Sequence, residues 1–229
     1  MTKTPQTRGA CVYCGRVMTR GGMARHFGSC AARADAIAAA GRRGKGWKGT
    51  VFHLQVQDTW SGRYWLHLEM SGSAPLAAFD GYLRWIWLEC CGHLSKFSLD
   101  GPWSGREIDM SRKAGQALRP GLELIHVYDF GSSSITTVKV VGERSGAALS
   151  RHPIALMARN EPPVFLCIEC GKPAERLCLE CVYEHGEEGT LCAEHAAEHP
   201  HDAYGEPMPI VNSPRVGVCG YTGPAEPPY

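Results

Sequence analysis

At 229 residues the chain has room for one or two domains. Hydrophobic residues at 44% and charged residues at 21% make an ordinary globular composition, and no run approaches the roughly eighteen apolar residues that would read as a membrane span. Eleven cysteines are too few for a secreted disulfide scaffold of this length. Residues 1–14 show no apolar signal-peptide core, so a reducing, cytoplasmic setting is expected, where paired cysteines more often hold metal than each other.

The net charge of +1 conceals a polarity along the chain. Residues 1–50 carry ten Lys/Arg and one acid, whereas residues 161–229 carry three basic and twelve acidic residues. A basic front is compatible with a polyanionic partner and an acidic rear is not. Alternatively, the two ends neutralise each other or a second copy of the chain.

The front segment holds Cys11-x2-Cys14, then His26-x3-Cys30. This is a complete Cys3His set for tetrahedral zinc, because a C-x2-C turn gives two thiolates the correct bite. The four-residue step from His26 to Cys30 predicts a shared helix face, with Asp35–Ala40 continuing the helix. Some thirty residues cannot build a sufficient core, so metal would supply the folding energy. Arg16, Arg20, Arg25 and Arg33 surround the site. A flexible, basic stretch at 41–46 then separates residues 1–45 from a central domain at 46–160.

Strand periodicity runs from Thr50 to Gln57 and again from Tyr64 to Met70, joined across 58–62 as a hairpin. Pro75 opens a helix, and Leu76, Phe79, Leu83, Ile86 and Cys90 form one apolar stripe that Gly92 stops. Cys90 is therefore assigned to packing, even though Cys90-x2-His93 has ligand spacing, since nothing adjacent completes a site. Further strands are expected at 122–130 and 135–141 around a turn at 131–134, which Asp129 caps. Trp60, Trp65, Trp85, Trp87 and Trp103 with Arg63 and Arg84 are read chiefly as core and rim, a base-stacking platform being the alternative.

Past the Pro162-Pro163 break, residues 161–229 carry Cys167-x2-Cys170, Cys178-x2-Cys181 and Cys192-x2-His195, followed by His199 and His201. Eight ligands suffice for two closed tetrahedral zinc sites, which are structural rather than catalytic. Three zinc ions are thus expected in the whole chain, and Cys90, Cys91 and Cys219 are left over. The tail from Gly220 is expected to be poorly ordered unless docked.

The order of the rear ligands resembles a B-box-type cross-brace. That resemblance implies that Cys167, Cys170, Cys192 and His195 share one ion, and that Cys178, Cys181, His199 and His201 share the other. The long 182–191 loop leaves His185 as a substitute for His199 or His201. In the centre, Tyr64-Trp-Leu-His-Leu-Glu69, His93-Leu-Ser-Lys-Phe97 and Tyr128-Asp-Phe-Gly131 resemble the plasmid pRiA4b ORF-3-like family over residues 50–145. Val211-Asn-Ser-Pro-Arg215 and Gly217-Val-Cys-Gly-Tyr221 resemble a zinc-rich extension of some members. The resemblance implies a compact α+β domain of prokaryotes or their mobile elements, and brings no catalytic residues.

These readings converge on an α+β protein with zinc modules at both ends, leaning away from catalysis. Its basic finger is expected to contact nucleic acid. The alternatives are a protein-interaction adaptor working through the rear module, and a hydrolase or nuclease using His67, His93, His126 and Asp129. Common nucleotide-binding, serine-hydrolase and zinc-protease motifs are missing.

Overall fold

The computed structural model describes residues 6–43, 48–200 and 203–229. The front is a hairpin of β1 (Arg8–Ala10) and β2 (Val17–Thr19), followed by helices α1 (Arg20–His26) and α2 (Ala31–Arg43). Thr19 starts α1 as its N-cap, its hydroxyl accepting from the Gly22 N–H. The expected continuous helix is instead two, because Gly28 and Ser29 break the chain between His26 and Cys30.

The centre is a seven-stranded antiparallel sheet. In chain order it contributes β3 (Lys48–Asp58), β4 (Trp65–Ser71), α3 (Leu76–Leu83), β5 (Ser95–Leu99), β6 (Arg106–Ile108), α4 (Ala114–Ala117), β7 (Glu123–Tyr128), β8 (Ser134–Ala147) and β9 (Ile154–Arg159). The spatial order is β6-β5-β7-β8-β3-β4-β9. The expected hairpin is present, with Val51–Gln57 paired to Ser71–Trp65. Asp58 closes it: one carboxylate oxygen accepts from the Ser61 and Gly62 N–H groups and the other from that of Tyr64.

One sheet face carries Phe52, Leu54, Val56, Leu66, Leu68, Met70, Leu124, Val138 and Val140. It packs against Leu76, Phe79 and Leu83 of α3, as the apolar stripe predicts. The stripe departs from expectation after Leu83. Residues 84–88 widen into a π turn, in which the Glu89 N–H bonds to the Arg84 carbonyl at 2.7 Å. The helix therefore ends at Leu88, and Cys90 lies in the following loop.

The opposite face of β4, made of Trp65, His67 and Glu69, is equally buried because the front segment covers it. Cys11, Met23, Phe27 and Cys30 cluster with Trp65, Met157 and Ala158. A bulge makes the docking: pairing of β4 with β9 shifts between His67 and Leu68. The Met157 carbonyl accepts from the Val12 N–H at 2.9 Å, and Cys11 bridges to Ala158. Gly9 permits the approach, since a Cβ there would lie 1.9 Å from the Arg159 carbonyl oxygen.

The rear segment holds short strands β10 (Arg176–Leu177), β11 (Thr190–Leu191) and β12 (Met208–Pro209), with helix α5 (Ala193–Glu198). The chain then returns to the central domain. Arg159 donates to the carbonyls of Asn212 and Ala225, each at 3.0 Å, and the Ser213 hydroxyl donates to the Trp87 carbonyl. Tyr221 and Ala225 are buried, so the tail is docked. The architecture is mixed α+β.

Candidate metal centres

All eleven cysteines are free thiols, and ten of them lie within the Cys/His groups below. At the front, Cys11 follows β1, Cys14 lies in the hairpin turn, His26 ends α1 and Cys30 precedes α2. Their sulfur and imidazole ligand atoms all lie within 4.8 Å of one another, and Cys14 Sγ is 3.2 Å from His26 Nε2. The four residues of the expected set therefore come together, but not on one helix face, since His26 and Cys30 stand on either side of a helix break.

The first rear group joins Cys167, Cys170, Cys192 and His195, also within 4.8 Å. His195 Nδ1 lies 3.2 Å from Cys192 Sγ and 3.5 Å from Cys167 Sγ. The second brings Cys178 and Cys181 to His199, with Cys181 Sγ 3.2 Å from His199 Nε2. His201, the remaining expected ligand, falls outside the described residues. The pairing is the crossed one that the B-box resemblance implies.

Two of the C-x2-C turns are built alike. The Cys11 N–H bonds to the Arg16 carbonyl and the Gly15 N–H to the Cys11 carbonyl; Cys167 does the same with Lys172 and Gly171. Gly15 and Gly171 both take positive φ, at 72° and 71°. Both turns point backbone N–H groups at sulfur. Against the desolvation that would raise it, N–H groups of Cys192, Cys170 and Glu169 bring the Cys167 thiol down to about 6. Burial dominates at Cys11 and pushes its thiol up to about 11, so ionising that sulfur needs a cation beside it. Such donor sets, thiolate-rich with one imidazole, fit a borderline-soft divalent ion.

A fourth group was not anticipated. Cys90, His93 and Cys219 bring their ligand atoms within 4.8 Å of one another. Cys90 packs partly buried against the core, as expected, and its ligand atom also lies close to those of His93 and Cys219. The π turn takes Cys90 off the helix stripe. The signals in the sequence were the C-x2-H spacing and a leftover cysteine, and the 128 residues between Cys90 and Cys219 hid their connection.

The candidate hydrolytic residues do not converge. His67 is buried between His53, at 2.9 Å, and the Arg20 carbonyl, at 3.1 Å. His126 is buried against Asp80, with Nε2 at 2.8 Å from Oδ1. Only His93 and Asp129 approach each other, at 3.6 Å. Asp129 also caps the turn as expected, its Oδ1 accepting from the Gly131 and Ser132 N–H groups. The stacking platform dissolves likewise, since Trp65 and Trp87 are core residues while Trp60, Trp85 and Trp103 are exposed.

A scan against protein-family models finds no match, and a search of curated proteins finds none. Among solved structures, a protein of unknown function from Methanosarcina mazei Go1 aligns at 14% identity with a TM-score of 0.36. The alignment covers 42% of this chain and 62% of that one, less than two thirds of its length. Among the described residues, no helix is long and apolar enough to cross a membrane.

Proposed function

We propose that this chain is a zinc protein of the cytoplasm whose two ends are held in shape by three structural ions and whose basic front finger contacts nucleic acid. Cys11, Cys14, His26 and Cys30 hold one ion and Cys167, Cys170, Cys192 and His195 the second. Cys178, Cys181 and His199, with His201 or His185, hold the third. The resemblance of residues 50–145 to pRiA4b ORF-3-like proteins, some of them mobile-element passengers, agrees with a role near DNA.

The observation that carries this reading is the state of the front arginines. Arg8, Arg16, Arg25 and Arg42 are exposed, and among the described residues no ion pair joins the front segment to the acidic rear. The charge asymmetry is thus left facing solvent. Arg20 and Arg25 also line a cavity of about 440 Å³ beside α1, together with Gln57, Ser61 and Gly62. By contrast, Arg33 is spent internally on Glu69 at 2.7 Å and adds little to an outward field.

Binding of DNA and RNA to the metal-loaded chain, followed across a salt series, tests the proposal. Affinity should fall steeply with salt, and Arg25→Ala and Arg16→Ala should each weaken binding while the thermal transition stays in place. Failure to retain either nucleic acid at low salt would refute it. Partners that survive nuclease treatment in a pull-down would then favour the adaptor, whose exposed acids Glu169, Glu187, Glu188, Glu194 and Glu198 repel phosphate.

A further inference from the structure

We propose that Cys90, His93 and Cys219 form a fourth metal site, with three protein ligands and one coordination position open to a small ligand. It lies where the tail crosses the central domain, and it shares no residue with the three end groups. The ligand would be a borderline-soft divalent ion such as zinc, which two thiolates and an imidazole suit.

The donors are held in place before any ion arrives. The Cys90–His93 loop wraps the Tyr128 hydroxyl, which receives the N–H groups of both residues at 3.4 Å. That hydroxyl donates to Glu89 Oε1 at 2.8 Å, and the same oxygen accepts the Gly92 N–H. The third donor arrives on a turn in which Cys219 takes φ 52°, ψ 32°, a conformation a non-glycine residue adopts only when its surroundings impose it. His93 Nε2 is sealed from solvent and has no hydrogen-bond partner among the described residues. Its closest polar approach to Asp129, at 3.6 Å, is too long for a hydrogen bond. A buried, unpartnered imidazole nitrogen on a ring grouped with two thiols is an orphaned polar atom that a bound cation would satisfy.

Behind the donors stands a buried support. The Arg215 side chain is fully buried, and its Nε and one terminal nitrogen each lie 3.3 Å from Cys90 Sγ. The same terminal nitrogen is 3.5 Å from Cys219 Sγ and 2.7 Å from Asp129 Oδ2. Guanidinium N–H groups aimed at both sulfurs stabilise thiolates, as outer-shell donors do in metal–thiolate centres. The charges also balance: Arg215 neutralises Asp129, and two thiolates neutralise a divalent ion. Asp129 is fully engaged by Arg215, Gly131 and Ser132, so it supplies no fourth ligand. With Cys219 exposed and a third of the His93 side chain accessible, the remaining position faces solvent. Three protein ligands with an open position is the arrangement of zinc sites that do chemistry rather than hold structure.

The test is metal analysis of the full chain purified under reducing conditions, comparing the parent with Cys90→Ala/Cys219→Ala and with His93→Gln. Each variant should carry one ion fewer per chain, while Cys91→Ser keeps the parental count. His93→Gln removes a partly exposed side chain whose Nε2 has no hydrogen bond, so it keeps the test available should the double variant fail to fold. In the cobalt-substituted parent, imidazole should shift the visible bands, and the shift should vanish in the double variant or, should that not fold, in His93→Gln. An unchanged metal count in folded His93→Gln and in the double variant would overturn the site, as would a Cys90–Cys219 disulfide in the reduced preparation. Bands insensitive to imidazole would overturn the open position. Failure of the end sites would read differently, as Cys14→Ser and Cys170→Ser variants that keep the full count.

Discussion

Arg215 and Asp129, 86 residues apart, form a buried ion pair with Arg215 Nη2 at 2.7 Å from Oδ2. The pair joins the returning tail to the turn after β7. Arg215 further donates to the Ser132 carbonyl and the Ser134 hydroxyl and lies 4.8 Å from the Tyr128 ring centroid. Asp129 has φ 65°, so its own backbone conformation is uncommon for a non-glycine residue. Desolvation opposes its charge, yet Arg215 and two backbone N–H groups hold its carboxyl below the ordinary carboxylate range. Removing one partner leaves the other as an uncompensated buried charge, which costs about 3–5 kcal/mol. Arg215→Met should therefore lower the thermal midpoint by many degrees and expose residues 211–229 to protease. A variant with an unchanged midpoint and an intact tail would show that the pair holds nothing in place.

Glu69 plays the corresponding part at the front. Its carboxylate is almost fully buried and meets two guanidinium groups, Arg33 from α2 and Arg144 from β8, each at 2.7 Å. It thereby ties the front segment to the outer face of the sheet. Glu69→Gln keeps the volume but leaves two arginines without a counter-charge, and the expected loss is again about 3 kcal/mol or more. Hydrogen exchange should rise in α2 before it rises in β3 and β4. Uniform exchange across these elements would contradict this account of the docking.

The sequence revealed local order well and long-range closure poorly. Alternation in 50–57 and 64–70 gave β3 and β4 because side-chain period is a local property. The burial of Trp65, His67 and Glu69 was illegible, since it depends on a second body covering the polar face. Ligand spacing showed each C-x2-C and C-x2-H pair, because such a turn is complete within five residues, whereas the crossing of the rear pairs was implied by the B-box resemblance alone. The π turn at 84–88 was illegible, as the 3.6-residue period assumes an unbroken helix, and it leaves Cys90 beyond the helix though still packed on the core. The clusters of Cys90 with Cys219 and Arg215 with Asp129 join positions that no local pattern connects.

The paired histidines of β3 and β4 give a pH prediction. His53 Nε2–H donates to His67 Nδ1, whose ring donates in turn to the Arg20 carbonyl, so both rings are held neutral. Burial pulls His53 down to about 3, with the His67 and Arg33 charges adding to the effect, and pulls His67 down to about 4. In the unfolded chain each titrates near 6.5. Between those values the unfolded state binds more protons, so stability rises with pH across the interval. The contribution is complete above about pH 6.5 and is lost as pH falls through 4 towards 3. Calorimetry from pH 7 to pH 4.5 should show a declining midpoint, and the decline should be shallower in His53→Gln. An equal slope in that variant would place the acid sensitivity elsewhere, for instance in metal release.

Metal removal separates the ends of the molecule from its middle. The front group and the two rear groups lie in segments whose own apolar clusters are small: Met23 and Phe27 lean on the sheet, and Leu191 stands among cysteines. Clusters of that size cannot offset the conformational entropy of ordering their segments, so under the proposed function bound ions contribute the difference. The central sheet instead has some two dozen buried residues of its own around α3. A strong chelator should therefore make residues 6–43 and 164–209 susceptible to protease while β3–β9 keep their backbone protection. The far-ultraviolet strand signal should persist and all eleven cysteines should become reactive towards a thiol reagent. Restoring zinc under reducing conditions should reverse both effects. Ends that stay protected after complete demetallation would mean that docking on the sheet, rather than coordination, maintains them.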